Sequence, residues 1–531
     1  MRWFREIEFN CISLVWPPAG GEIQVEADIV VIGGGSAGAI VASRLSERAS
    51  TEVILIEAGG EANNPWIAMP AGLVNLVGNP KTDWCYTTEP DPSIGDRKIF
   101  WNAGKVLGGG SSINGMIYIR GQKGDYDEWE ELGCRGWSYA DVLPYFKRSE
   151  DWTGEPDSQF HGRTGPVGVS TQKMKNDTFL DAFFRSAESH GLGRLDDFCD
   201  GDIEGAFIAL TTQKDGQRSS TERAFLKAAR RRPNLKVLTH THADRILFDG
   251  DRAVGVRVLG RDGRETDIRA RREVVLCAGA TQSPLILMRS GIGEAAQLKS
   301  HGIEVRVDRP AVGRNLMEHP NINLRWTANT PGFNREVTDR LRLAYNFFRY
   351  ALRRDGVLTC TVSQALAGAK TLPELTEPDI LLFFSTFVLD PTKPSLTPGR
   401  ANIYPLLGRP ALAMSTFVNL PYSRGEIRLR SASPTDHPVI HPGLLSDERD
   451  VDTLMRAGRL IERLFASPGL ADLCLERIHP TLNTDDEWRA YIRSAARSPI
   501  IMVTALVLPL TRDGITEASA TRSPLTPRTR S

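Results

Sequence analysis

The chain has no excess charge of either sign: 65 basic and 65 acidic side chains leave its 531 residues at a formal net charge of zero. That balance excludes the basic surface on which nucleic-acid binding rests, and the acidic excess of many disordered chains. Paired cysteines are lacking too. Cys11, Cys85, Cys134, Cys199, Cys277, Cys360 and Cys474 are scattered, and none forms a CxxC pair. A disulfide framework is therefore not expected, and a reducing compartment is. No run approaches the roughly 20 apolar residues of a membrane helix; the late stretch Pro499–Leu510 is too short. Arg2, Arg5, Glu6 and Glu8 interrupt the N-terminus, so no signal peptide is expected. A cytoplasmic location follows, with peripheral contact at the inner face of a membrane left open. No GxSxG elbow supports a serine hydrolase, and no internal repeat is visible. The close pair His240 and His242 has only Asp244 beside it, so no metal site is expected. What is present, 41% hydrophobic and 24% charged residues, suits a soluble globular protein with a core too large for one simple domain.

Glu26–Ile32 reads as a buried strand, Gly33-Gly-Gly-Ser-Ala-Gly38 follows at once, Ala39–Arg48 has helical composition, and Val53–Ile56 is a second apolar strand ending in Glu57. This is a βαβ unit with Gly33, Gly35 and Gly38 at GxGxxG spacing. Gly33 permits the tight turn, Gly35 lets the backbone approach a pyrophosphate, and Gly38 lets helix and strand pack closely. The helix N-terminus supplies N–H groups for the phosphates. Glu57, about 20 residues on, is placed to accept the ribose hydroxyls. The acid favours an unphosphorylated ribose, hence FAD or NAD rather than NADP. The unit alone does not choose between them.

A second glycine cluster, Gly104-Lys-Val-Leu-Gly-Gly-Gly-Ser-Ser-Ile-Asn-Gly-Met-Ile-Tyr118, can wrap another part of a large cofactor; alone, it could equally be a structural turn between domains. A third, Gly279-Ala-Thr-Gln-Ser-Pro-Leu-Ile-Leu-Met-Arg-Ser-Gly-Ile-Gly293, follows the strand Glu273–Cys277. Together with the fingerprint, in this order, they resemble the two signatures of the glucose–methanol–choline (GMC) oxidoreductases. Smaller stretches, among them Trp129–Gly133, Gly216-Gln-Arg-Ser219 and Val312–Pro320, are similar to the bacterial choline-dehydrogenase-like branch. The resemblance covers roughly residues 27–497.

The resemblance implies FAD as the cofactor and an α/β chain: a Rossmann-like FAD-binding domain interleaved with a substrate domain on an antiparallel sheet flanked by helices. By that pattern, residues 27–151 and 221–317 build the FAD domain, and 152–220 and 318–497 the substrate domain. Residues 1–26 form an N-terminal extension, and 498–531 an atypical tail, disordered by composition. Val106, Asn114, Gly115, Met116 and Ile117 would lie toward the flavin, and Ala243 would touch the adenine through its backbone. The implied activity is oxidation of a primary alcohol, choline-like, aliphatic or aromatic, to an aldehyde. The partners would be the small alcohol and an electron acceptor, a quinone, a dye or oxygen.

The family takes its base from a histidine soon after a helix like Asp485–Arg497. Here no histidine follows His479 and no asparagine follows Asn483. The resemblance breaks off near Ser498, as a frameshift would cause, so no catalytic base is identifiable. His479, His319 and His161 are expected to be packing histidines, and His240 and His242 to lie near the adenine end. Rivals are a catalytically impaired remnant, a hydroxynitrile-lyase-type member and, less well supported, an NAD-dependent dehydrogenase.

Overall fold

The computed structural model describes residues 25–154, 158–174, 177–390 and 406–498. The expected disorder of the tail and the N-terminal extension up to residue 24 lie outside these residues.

The first sheet assembles six strands: β1 (Val25–Ile32), β2 (Val53–Ile56), β3 (Leu235–Leu238), β4 (His242–Asp249), β5 (Arg252–Leu259) and β6 (Glu265–Leu276), in the order β3-β2-β1-β6-β5-β4. β3, β2, β1 and β6 run parallel, whereas β5 and β4 extend the sheet antiparallel. Ile29–Ile32 of β1 and all of β2 are apolar on both faces, as a covered parallel strand requires. Helix α1 (Ser36–Leu45) crosses between them and buries small residues, Gly38, Ala39, Ala42 and Ser43. At Gly38 even a methyl group is excluded, because a Cβ would sit 1.8 Å from the Gly33 carbonyl oxygen. Helix α2 (Gly279–Arg289) follows β6 and returns the chain against β4.

The second layer is antiparallel. β7 (Asn321–Ala328) is followed by helix α3 (Arg340–Arg353), β8 (Ala365–Ala369), β9 (Ile380–Ser385), β10 (Ala411–Val418), helix α4 (Glu448–Ala466), β11 (Cys474–Arg477) and helix α5 (Asp485–Ala495). The sheet order is β8-β9-β10-β7-β11. α4 covers it with Val451, Leu454, Ile461, Leu464 and Phe465, a helical repeat of apolar residues; Phe465 stacks on Trp326 at 3.7 Å. A smaller sheet joins Ile117–Tyr118 and Glu150–Trp152 to Val167–Thr171 and Leu210–Thr211, strands from both sides of the domain boundary expected at residue 151.

α5 decides where the chain goes next. Thr484 and Glu487 close a capping box at its start. At its end the Arg97 guanidinium donates to the carbonyls of Arg493 (2.9 Å) and Ala496 (2.7 Å), satisfying groups the helix leaves open. Arg497 and Asn321 then exchange backbone hydrogen bonds at 3.1 Å, and the chain arrives at Ser498.

Candidate cofactor and active site

A cavity of about 650 Å³ opens at the C-terminal ends of β1, β2 and β6, where open α/β sheets bind ligands. Ile32, Gly33, Gly35 and Ser36 form one wall, Ile56 and Glu57 another, and Leu276–Gly279 a third. The turn after β1 is fixed by backbone bonds: Gly33 N–H donates to Ile56 (2.8 Å), and Cys277 N–H to Ile32 (2.7 Å). Gly33 has a φ of +94°, where a side chain is strained, and its Cβ would strike the Cys277 carbonyl at 2.5 Å. Gly35 differs. A Cβ there would find nothing nearer than Gly109 Cα at 3.9 Å, so the glycine leaves room on the cavity side.

Glu57 is buried with its carboxylate already aimed at the turn. Oε2 accepts the Gly34 N–H at 2.8 Å, and Oε1 accepts the Gly59 N–H at 2.7 Å. Burial pushes this carboxyl up to about 7, against the pull of those two N–H groups and the Lys105 charge. Each oxygen keeps lone pairs for further donors.

The opposite end of the cavity is built by Asn114, Met116 and Ile117. Met116 has a φ of +62°, costly for a side-chain-bearing residue. The turn is held from several directions. Asn114 Oδ1 accepts the Met116 N–H (3.1 Å) and an Arg218 N–H (2.8 Å), and the Met116 carbonyl accepts the Thr212 N–H (2.8 Å). Arg218 is wholly buried and also donates to the carbonyls of Ile67 and Ser111, at 3.0 and 3.1 Å. Burial lowers its guanidinium to about 9.

The expected site residues divide. Gly33, Gly35, Glu57, Asn114, Met116, Ile117 and Ala243 line the cavity, and Ala243 opens β4 beside His242. Gly38, Val106 and Gly115 do not line it. Gly38 serves the packing of α1, and Val106 is buried against Ile67, Leu76 and Ile113. The Gly115 carbonyl accepts the Thr361 hydroxyl. Sequence reasoning missed Trp84, Tyr86, Trp101, Gln282 and Glu318, all of which line the cavity. Trp84 stacks on Tyr86 at 5.6 Å and carries Lys105 over its face at 4.4 Å. Gln282 stands inside the third glycine motif, where it could have been singled out; the aromatics carry no local pattern.

None of the other histidines reaches the cavity. His319 Nδ1 bonds the Val418 carbonyl at 2.7 Å, and His479 Nδ1 lies 3.2 Å from both backbone polar atoms of Arg325, packed on Trp326. His161, Asp197 and Cys199 bring metal-capable atoms within 4.8 Å of one another. Burial opposes a charge on His161, but Asp197, Cys199 and Glu150 outweigh it and raise the ring to about 11; its two nitrogens face Glu150 at 2.9 Å and Asp197 at 3.3 Å.

The residues present fit FAD. Gly35 leaves open space, the turn N–H groups sit at a helix start, and His242 Nε2 and Gln282 Oε1 are buried cavity-lining atoms without a hydrogen-bond partner. A largely parallel sheet with this cradle defines a dinucleotide-binding protein of the Rossmann type.

Comparison with known proteins narrows the class. Family models described as GMC oxidoreductase match residues 27–321 (N-terminal part) and 421–502 (C-terminal part). An uncharacterised GMC-type oxidoreductase of Mycobacterium bovis is 39% identical over 478 residues, covering 87% of this chain and 85% of that one. An alcohol dehydrogenase (acceptor) of Pseudomonas putida is 35% identical over 484 residues, 89% and 84% of the two chains. The oxygen-dependent choline dehydrogenase of Brucella anthropi is 37% identical with the same coverage, 89% and 84%. The crystal structure of pyridoxine 4-oxidase from Mesorbium loti superposes with a TM-score of 0.76 at 29% identity, covering 89% of this chain and 87% of that one. The chain belongs to the GMC oxidoreductase family, and its cofactor is FAD.

Proposed function

We propose that the protein oxidises the CH–OH group of a primary alcohol to an aldehyde and passes the electrons to a quinone-type acceptor, a dye or oxygen in the cytoplasm. The observation that carries this reading is the cavity itself: a dinucleotide cradle at one end, a strained asparagine-braced turn at the other. Relatives named for alcohol and choline oxidation support it. The chemistry supplied by bound FAD is acceptance of a hydride at flavin N5 from the carbinol carbon. Gly33, Gly35 and the start of α1 would hold the diphosphate, Glu57 the ribose hydroxyls, and the Ala243 backbone the adenine. Asn114, Met116 and Ile117 would border the flavin, with Arg218 fixing the Asn114 amide.

Removal of the hydroxyl proton needs a base. His242 is the one described histidine on the cavity wall, and it lies at the Ala243 end with Glu57. Burial lowers it to about 4, as a neutral ring. Ser498, the last described residue, also lines the wall, so the segment that should carry the base begins at the cavity. That segment contains no histidine, which favours a second reading: a chain that keeps FAD but turns over poorly.

Purified protein titrated anaerobically with primary alcohols, choline among them, tests both. Flavin bleaching with aldehyde formation supports the oxidase or dehydrogenase reading. A bound but unbleached flavin supports the impaired chain. Cyanide release from a hydroxynitrile would overturn both.

A further inference from the structure

Helix α3 has two apolar faces on opposite sides, and only one is covered. Leu343, Asn346, Phe347 and Tyr350 face the molecule: Phe347 meets Trp66 edge-on at 5.9 Å, and the Tyr350 hydroxyl lies 3.2 Å from the Gly216 carbonyl. On the far side, Leu341, Tyr345, Phe348 and Leu352 fall four, three and four residues apart, the spacing of a single helical stripe. Their exposures are 84%, 63%, 65% and 68%. No other described helix leaves four large apolar side chains in one row.

The flanks of that row are basic. Residues 335–355 hold six arginines, Arg335, Arg340, Arg342, Arg349, Arg353 and Arg354, against Glu336, Asp339 and Asp355, a local net charge of +3 in a chain whose total is zero. Glu336 pairs with Arg342, and Asp355 with Arg349; Arg340, Arg353 and Arg354 are exposed. An apolar stripe with aromatic residues between cationic borders is the pattern of a helix that lies in a lipid interface. Two copies of this helix facing each other would oppose arginine to arginine, whereas anionic headgroups neutralise them.

We propose that α3 is a membrane-docking element that seats Leu341, Tyr345, Phe348 and Leu352 at the acyl boundary of an anionic lipid surface, with its arginines on the headgroups. The helix does not span the bilayer; it lies along it. Its inner face packs on Val357–Cys360, and the next residue, Thr361, donates to the Gly115 carbonyl of the flavin-side turn. The inner face of the helix is thereby linked by packing to the turn at Asn114–Ile117.

Co-sedimentation of the full chain with vesicles of phosphatidylcholine alone, and of equal parts phosphatidylcholine and phosphatidylglycerol, tests this, and its readout needs no enzyme activity. Binding is expected on the anionic vesicles and to fall with added salt. The double variant Leu341→Asp, Phe348→Asp should weaken it by about tenfold or more, and Arg340→Glu or Arg353→Glu by about fivefold each. These four positions are exposed, so thermal unfolding should not move. Wild-type protein that stays in the supernatant with both vesicles overturns the proposal. So does a wild-type dimer that Leu341→Asp, Phe348→Asp converts to monomer, since that would make a second copy the occupant of the row. Should the double variant misfold, the two arginine variants still decide between the outcomes.

Discussion

The two ends of the cofactor cavity are built by opposite means. At the βαβ end the contacts come from backbone: the turn at Gly33–Ser36, the start of α1, and one carboxylate whose oxygens are held by the N–H groups of Gly34 and Gly59, one from the turn after β1 and one from the loop after β2. At the Asn114 end they come from side chains gathered across the sequence: Asn114 is held by the buried Arg218, while the aromatics Trp84 and Tyr86 and the amide of Gln282 cluster beside His242 on the wall between. Backbone function demands particular residue types at fixed spacing, because only glycine tolerates those contacts. Side-chain function demands only that the fold bring distant positions together.

Gly38→Ala and Gly35→Ala break the comparison most sharply. The first forces a Cβ to within 1.8 Å of a carbonyl oxygen; we expect a loss of about 3 kcal/mol or more and protein purified without flavin. The second meets open space at a backbone φ of −71° that alanine accepts. Its apoprotein should unfold within about 0.5 kcal/mol of wild type, while FAD affinity falls by about tenfold to a hundredfold as the methyl group enters the cradle. Thermal unfolding and flavin absorbance per chain, measured together, separate the two.

Arg218→Met probes the other end. It strips hydrogen bonds from two carbonyls and from Asn114 at a fully buried site. A stability loss of about 3 kcal/mol is expected, reported by denaturant unfolding. A changed spectrum of the flavin that remains bound would show the Asn114–Ile117 turn has moved. An unchanged spectrum would show that Asn114 holds itself.

The smallest effect belongs to Glu57. Ribose hydroxyls donating to it favour the carboxylate, and burial holds the apoprotein carboxyl protonated up to about pH 7. FAD affinity should thus be full above pH 7 and fall as the pH drops below it, by up to about tenfold per unit. The apoprotein itself should show the reverse: the stability contributed by the protonated group is complete below pH 4.5 and lost as the pH rises through 7. Glu57→Gln should flatten both profiles. Fluorescence titration of apoprotein with FAD across pH 5 to 9 checks the first, and denaturant melts at the same pH values the second.

These contrasts explain what was legible beforehand. β2 runs from Val53 to Ile56, as the apolar pattern predicts, and α1 starts at Ser36, three residues before the helical composition begins. Glu57 lies on the cavity wall because the strand before it must end at the switch point. The Val106 side chain sits in a small apolar cluster: its motif fixes the backbone path but not which side chains face inward. Trp84 and Tyr86 were invisible because their place depends on strand Tyr86–Thr87 pairing with Phe100–Trp101, a local hairpin without a pattern of its own. The exposed row on α3 went unread in the sequence, because only burial distinguishes its two apolar sides.

The pairing of β1 with β6 has a consequence for biogenesis. Val25 meets Ile268, and Ile32 meets Leu276, so the first strand made waits for a neighbour encoded far downstream. At ordinary translation speeds that wait is on the order of ten seconds or more. Throughout it, an apolar ribbon with an unsatisfied edge emerges from the ribosome beside an equally apolar β2. Slowing elongation between codons 57 and 265 should lengthen the window in which that edge is open to aggregation.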